Sequence, residues 1–139
     1  MAKATSDAEA IVREYERIWN ERAFSDLSDV VAESFTFTSP TADTIRGREN
    51  VESYAREVVD GFSDFEITLH ELLADESLVM TESTLSGTHD GEFEGVLPTH
   101  ESFEIRSMAT FVVEDGTLQE ERTYFDHHDF LDQLGLLDE

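Results

Sequence analysis

The segment TYFDHHDFLDQLGLL, Thr123 to Leu137, sets two histidines between two aspartates, Asp126 to Asp129, where an alternating polar stretch gives way to an apolar one. Three kinds of chemistry suit these residue types: metal ligation, helix capping and acid/base catalysis. Spacing argues against metal. On a helix the adjacent His127 and His128 project about 100° apart, whereas ligand pairs prefer i, i+3 or i+4. Asp126 with Asp129, or His128 with Asp132, has suitable spacing, but no second cluster in the sequence supplies the remaining ligands, so no metal site is expected. The capping reading is strong, because an aspartate at a strand-to-helix junction is a favoured N-cap. The acid/base reading needs the same carboxylate on a pocket wall, within hydrogen-bond reach of a carbon next to a carbonyl. An apolar surround would raise its pKa toward the working range by disfavouring the charged form. The last two readings are compatible, since a helix N-terminus stabilises an anion beside it.

Period-two alternation puts Tyr124, Arg122 and Glu120 on the same strand face as Asp126. The Tyr124 phenol is then placed to donate to a developing enolate oxygen. Arg122 could do likewise, or it could pair with Asp126 and leave it a weak base. His89 ends a strand and is either bonded to backbone or a polar group of the pocket. Trp19, Tyr15, Phe37 and Tyr54 are candidate substrate-binding walls, with simple core packing as the alternative. His70 and His100 are expected to be partly exposed and receive no role.

The elements that must position these groups are legible as periodicities. Ser6 to Glu9 reads as a capping box, and behind it Ile11, Val12, Tyr15, Ile18 and Trp19 recur at helical spacing, predicting a helix from about Asp7 to Arg22. A short helix is expected from about Ser25 to Val31, then a strand over Ser34 to Pro40. Gly47 precedes a helical pattern carried by Val51, Tyr54, Ala55, Val58 and Val59 and closed by Gly61. Strand-like segments follow over Asp64 to Leu73, Leu78 to His89, Ser102 to Val113 and Thr117 to Phe125, with a short helix from about His128 to Leu134. On the third of these strands, Phe103, Ile105, Ser107, Ala109 and Phe111 share one face; Glu104, Arg106, Met108, Thr110 and Val112 share the other. Neither face is purely polar, so both are expected to be covered: one by helices and pocket, the other by a partner subunit. Helices in the first half and strands in the second predict an α+β fold, with N-terminal helices packed on a curved antiparallel sheet. Such a cone has one open mouth suited to a small molecule.

The 139 residues suit a single domain spanning 1–139. There are 33 Asp and Glu against 9 Lys and Arg, a formal net charge of -24. This surface repels phosphates and anionic lipid, so neither nucleic acid nor membrane is an expected partner. The acids are interleaved with periodic apolar residues, which argues for a folded domain rather than an acidic tail. A carboxylate-crowded, lysine-poor surface around an ordinary core suits a salt-adapted organism, because multimolar salt screens the self-repulsion. The chain has no cysteine, which excludes disulfides and thiolate chemistry. The opening MAKATSDAEA lacks the basic-then-apolar layout of a secretory signal, and a cytoplasmic location is expected.

With the helix-helix-strand opening, the segment GTHDGEFEGVLPT (Gly87 to Thr99) and the ending YFDHHDFLDQLGLL, the chain closely resembles the SnoaL-like polyketide cyclases of the NTF2-like superfamily. The pattern G-T-H-x-G-x-F-x-G-x-x-P-T is filled by Gly87, Thr88, His89, Gly91, Phe93, Gly95, Pro98 and Thr99. The pattern D-x-x-x-x-L-x-Q-L-G is filled by Asp126, Leu131, Gln133, Leu134 and Gly135. The resemblance implies the NTF2-like, cystatin-like cone. It also implies cofactor-free ring closure by intramolecular aldol reaction, with Asp126 matching the aspartate that moves the proton. Tyr124 stands where such cyclases often carry a histidine, and His100 replaces a glycine. The expected substrate is a small, largely apolar carbonyl compound, and a homodimer or higher homo-oligomer built through the outer sheet face is expected. A non-catalytic ligand-binding or dimeric interaction domain is the alternative. An epoxide hydrolase, in which an aspartate activates water, is a third possibility on the same fold.

Overall fold

The computed structural model describes residues 7–137. Helix α1 (Asp7–Glu21) turns Val12, Tyr15, Ile18 and Trp19 inward at the spacing read from the sequence; Ser6 of the expected capping box lies outside the described residues. A 3-10 turn (Phe24–Asp29) buries Phe24 and Leu27 and leads into strand β1 (Val31–Ser39). Next come β2 (Asp43–Arg46) and helix α2 (Arg48–Gly61). The long strands are β3 (Glu66–Ala74), β4 (Leu78–Thr88), β5 (Ser102–Glu114) and β6 (Thr117–Phe125), and the short helix α3 (His127–Gln133) follows.

The six strands form one sheet in the order β2-β1-β6-β5-β4-β3. Every neighbouring pair is antiparallel except β1 and β6, which run parallel. The helices cover one face of this curved sheet, giving the α+β cone expected from the element order. The main core lies between α1, α2 and the sheet, with Val12, Ile18, Phe35, Phe111 and Leu118 essentially closed to solvent. A second cluster, Phe62, Phe103, Ile105, Phe130 and Leu134, docks α3 against the same inner face. Burying each of these large side chains contributes about 1.5–3 kcal/mol.

On β5 the odd-numbered residues Phe103 to Val113 are buried and Glu104, Arg106 and Met108 are exposed, as period two dictates. On β6 the alternation is broken. Val113 pairs with Leu118 and Val112 with Glu120, which leaves Gln119 as an extra residue. This β-bulge resets the facing of everything that follows: Leu118 points in, and so do Glu121 and Thr123.

The loop after β4 is held against the end of α2. The N–H groups of Asp90 and Gly91 both donate to the Gly61 carbonyl at 3.0 Å. A Cβ on residue 91 would lie 2.1 Å from the Asp60 carbonyl oxygen, so only glycine permits this approach. The loop closes on itself where the His89 N–H donates to Glu101 and the His100 N–H donates to His89, each at 2.9 Å.

Candidate active site

Between the helices and the inner face of the sheet is a cavity with about 790 Å³ of empty space, counted to its open mouth. Its walls are mostly aromatic and aliphatic; Trp19, Phe37 and Tyr54 are among them. Two carboxylates reach it, Glu16 from α1 and Glu121 from β6. Each is only 8% exposed. Glu16 stands four residues after Val12 and three before Trp19, on the apolar stripe of α1, so the helix carries it inward with the core residues.

Glu121 is held from both sides. Its Oε1 accepts from the Tyr15 hydroxyl at 2.7 Å and its Oε2 from the Thr123 hydroxyl at 2.5 Å. Tyr15 is wedged edge-on between Phe35 and Phe111, with ring centroids 5.8 and 6.0 Å away. Burial pushes the Glu121 carboxyl up to about 7, against the opposing pull of the Thr123 and Tyr15 bonds. Burial also pushes Glu16 up to about 7, helped by the charge of Glu121 and opposed by Arg13. Tyr15 is raised well above the ordinary phenol value, first by burial and then by Glu121, and remains a proton donor. The cavity therefore contains two carboxyls that exchange protons near neutrality, one of them fixed by two neutral donors.

A polar stripe crosses the otherwise apolar wall. Ser83 and Ser107 are cross-strand partners, and the buried Ser83 hydroxyl has no protein partner. At the other edge the Thr41 hydroxyl lies 2.7 Å from the Tyr54 hydroxyl and 3.2 Å from that of Ser39.

The other expected site residues lie elsewhere. Asp126 is the N-cap of α3: its side chain accepts from the Asp129 N–H at 3.0 Å, and it is exposed and outside the cavity wall. Tyr124 is 59% exposed on the outer sheet face. Arg122 pairs with Glu120 at 2.9 Å rather than with Asp126. The expectation that Asp126, Tyr124 and Arg122 share a pocket-facing row is thus corrected, because the cavity is walled by Glu121, Thr123 and Phe125 on the opposite face of β6. Tyr15 sits behind Glu121 as its donor and is not itself a wall. His89 is buried beside a second, adjoining cavity. His70 lies on the outer face, 2.7 Å from the Thr84 hydroxyl. Among the described residues no three His, Asp or Glu side chains gather to hold a metal ion, and no helix is long and apolar enough to cross a membrane.

Sequence reasoning missed Glu16 and Glu121. The signal for Glu16 was present, a carboxylate on the apolar stripe of an amphipathic helix. Glu121 was concealed by the bulge.

Comparison with known proteins agrees with this architecture. Residues 9–134 match the sequence model of the SnoaL-like polyketide cyclases. No curated protein matches the chain significantly. Among solved structures, a candidate SnoaL-like polyketide cyclase from Jannaschia sp. CCS1 superposes with a TM-score of 0.85 at 17% identity, covering 99% of both chains. IdmH, a candidate polyketide cyclase from Streptomyces antibioticus, is 27% identical over 91% of this chain and 96% of its own, with a TM-score of 0.78. An LEH-like epoxide hydrolase from M. tuberculosis shares the fold at a TM-score of 0.76 and 20% identity, covering 95% and 92% of the two chains. With its family match running through nearly the whole chain, this protein belongs to the SnoaL-like polyketide cyclase family.

Proposed function

We propose that the protein catalyses a cofactor-free proton transfer on a small, largely apolar carbonyl compound, an intramolecular aldol-type cyclisation or a related isomerisation, with Glu121 as the acid/base. The observation that carries this reading is a buried carboxylate on the wall of an apolar cavity, gripped by Tyr15 and Thr123 and titrating near 7. A general base works best with a pKa near the operating pH. In its charged form Glu121 takes the proton from the carbon next to the substrate carbonyl. Protonated Glu16, on the same cavity, supplies a proton to the developing enolate oxygen. The charge of each carboxyl favours the protonated form of the other, so one acid and one base coexist near neutrality. As the enol carbon attacks a second carbonyl of the same molecule, the enol O–H returns its proton to Glu16 and the first carbonyl re-forms, while the proton on Glu121 passes to the new alkoxide, so both carboxyls end as they began.

Exchange of the α-protons of 2-tetralone into deuterated water, followed by proton NMR, tests the step. The wild type should accelerate exchange and Glu121→Gln should not. Binding of 2-tetralone with no acceleration would instead support a non-catalytic ligand-binding domain, which the engagement of both Glu121 oxygens by Tyr15 and Thr123 favours.

The outer sheet face supports self-association. Met108 and Tyr124 are direct cross-strand partners, 59% exposed each, and Met80 lies on the next strand at 48%. A Met108→Glu variant should halve the mass found by sedimentation. The net charge of -24 supports salt adaptation, which predicts a melting temperature that climbs as potassium chloride is raised into the molar range.

A further inference from the structure

The loop that closes over the end of β4 covers a second cavity, with about 420 Å³ of empty space counted to solvent. It shares Thr41, Phe62, Phe93 and Phe130 with the wall of the first, so the two adjoin across an aromatic partition. His89 borders it and is only 1% exposed. The imidazole stacks on Phe62, with ring centroids 5.1 Å apart and planes 22° from parallel. Its Nδ1 accepts from the Thr99 N–H at 3.2 Å and lies 3.1 Å from the Thr99 hydroxyl. An accepting Nδ1 places the proton of a neutral imidazole on Nε2. That Nε2–H is buried and has no partner in the protein.

A buried donor left unpaired is costly, and such groups are normally satisfied. Thr99 engages the Nδ1 end of the ring, so the Nε2 end is the one left for a ligand. The rest of the lining is mostly apolar, Phe93, Phe130, Leu131 and Leu134 among it, with Thr41 and His127 as further polar side chains. Glu94 also borders the cavity; burial and the charge of Glu57 raise its carboxyl above the usual value, with His127 acting in the opposite sense. A carboxylate at this position, on a chain of net charge -24, disfavours an anionic ligand.

We propose that this second cavity is a subsite for a neutral ketone or ester oxygen carried by an apolar ligand, received by the Nε2–H of His89. It extends the proposed reaction chamber, and so rests on the reading that the first cavity holds a carbonyl compound. A ligand seated across the partition has one carbonyl by Glu121 and a second acceptor at His89. His89 is a binding residue in this scheme and takes no part in proton transfer.

The test compares methyl 2-naphthoate with 2-ethylnaphthalene, which has a similar shape but no acceptor. The wild type should bind the ester about tenfold more tightly, the worth of one well-made buried hydrogen bond. His89→Asn keeps an acceptor for the Thr99 N–H but removes the Nε2 end, and should erase that preference. His89→Gln restores a donor near the Nε2 position and should recover part of it. The second readout needs no variant: in 15N-histidine-labelled protein, the His89 Nε2–H resonance should move downfield with the ester and stay in place with the hydrocarbon. Equal affinities in the wild type, a preference that survives His89→Asn, or an unmoved Nε2–H would overturn the proposal, the last outcome leaving a trapped water as its partner. Failure of 2-tetralone exchange together with an intact ester preference would sink the acid/base reading alone.

Discussion

Glu121 and Asp126 stand on the same strand and the cap that follows it, yet their surroundings have little in common. Asp126 is in water and spends its carboxylate on the Asp129 N–H, at the start of a helix. Glu121 is buried, with Phe37 and Phe111 as its cross-strand neighbours, and its partners are two hydroxyls from side chains. An exposed carboxylate at a helix start is stabilised by solvent and by the helix terminus. A buried one gives up its proton reluctantly and takes it back readily, as proton shuttling demands. Within one short stretch of chain, then, solvent access separates a group that stabilises structure from one fit for chemistry.

The largest expected effect separates the two directly. Glu121→Gln should reduce α-proton exchange of 2-tetralone by about 10²–10⁴-fold, the usual contribution of a positioned acid/base. Asp126→Asn should leave it unchanged, since asparagine caps as well as aspartate. Loss of exchange in Asp126→Asn with Glu121→Gln active would reverse the assignment.

Next in size is the pH dependence of stability. Burial raises Glu121 from 4.5 in the unfolded chain to about 7, so the native state binds the extra proton and native stability falls as pH rises across this window. At about 1.4 kcal/mol per pH unit, the penalty is absent below the lower value, fully developed above the upper one, and worth about 3 kcal/mol. Denaturant melts of Glu121→Gln and wild type at pH 4.5 and 8 should show the variant gaining by that amount relative to wild type at the higher pH. The corresponding activity profile should be a bell centred near pH 7, because catalysis needs Glu121 charged and Glu16 protonated.

Removing a donor to the charged carboxylate gives a subtler change. Tyr15→Phe should move the acidic limb of the activity profile to higher pH, by less than the displacement that burial imposes. A profile that moved to lower pH would show that the phenol stabilises the protonated form instead. The smallest effect belongs to the cap: Asp126→Ala should lower stability by about 1 kcal/mol in urea melts with turnover intact.

The fold was legible because its helices and long strands carry their periods openly; α1, α2 and the four strands from β3 to β6 lie close to where the apolar spacing puts them. Strand β2 was missed because Asp43-Thr44-Ile45-Arg46 has neither the length nor the apolar alternation to announce itself, and forms by pairing with β1. The site was only half legible. Trp19, Phe37 and Tyr54 declared themselves as aromatics on inward-facing positions. The cavity-lining face of β6 could not be read by alternation. A single extra residue at Gln119 inverts the count, and a bulge is set by pairing with β5, to which the local pattern is blind. Counting two at a time from Leu118 predicts Glu120, Arg122 and Tyr124 inside; the bulge delivers Glu121, Thr123 and Phe125.

The alternation along β5 carries a consequence for how such a protein can change over time. Its inward residues shape the chamber while its outward ones, Glu104, Arg106 and Met108, meet the medium or a neighbour. A substitution in one register leaves the other untouched. Lineages moving into brine can therefore rewrite the coat of the sheet without retuning what fits inside it, and a new guest can be accommodated without renegotiating solubility.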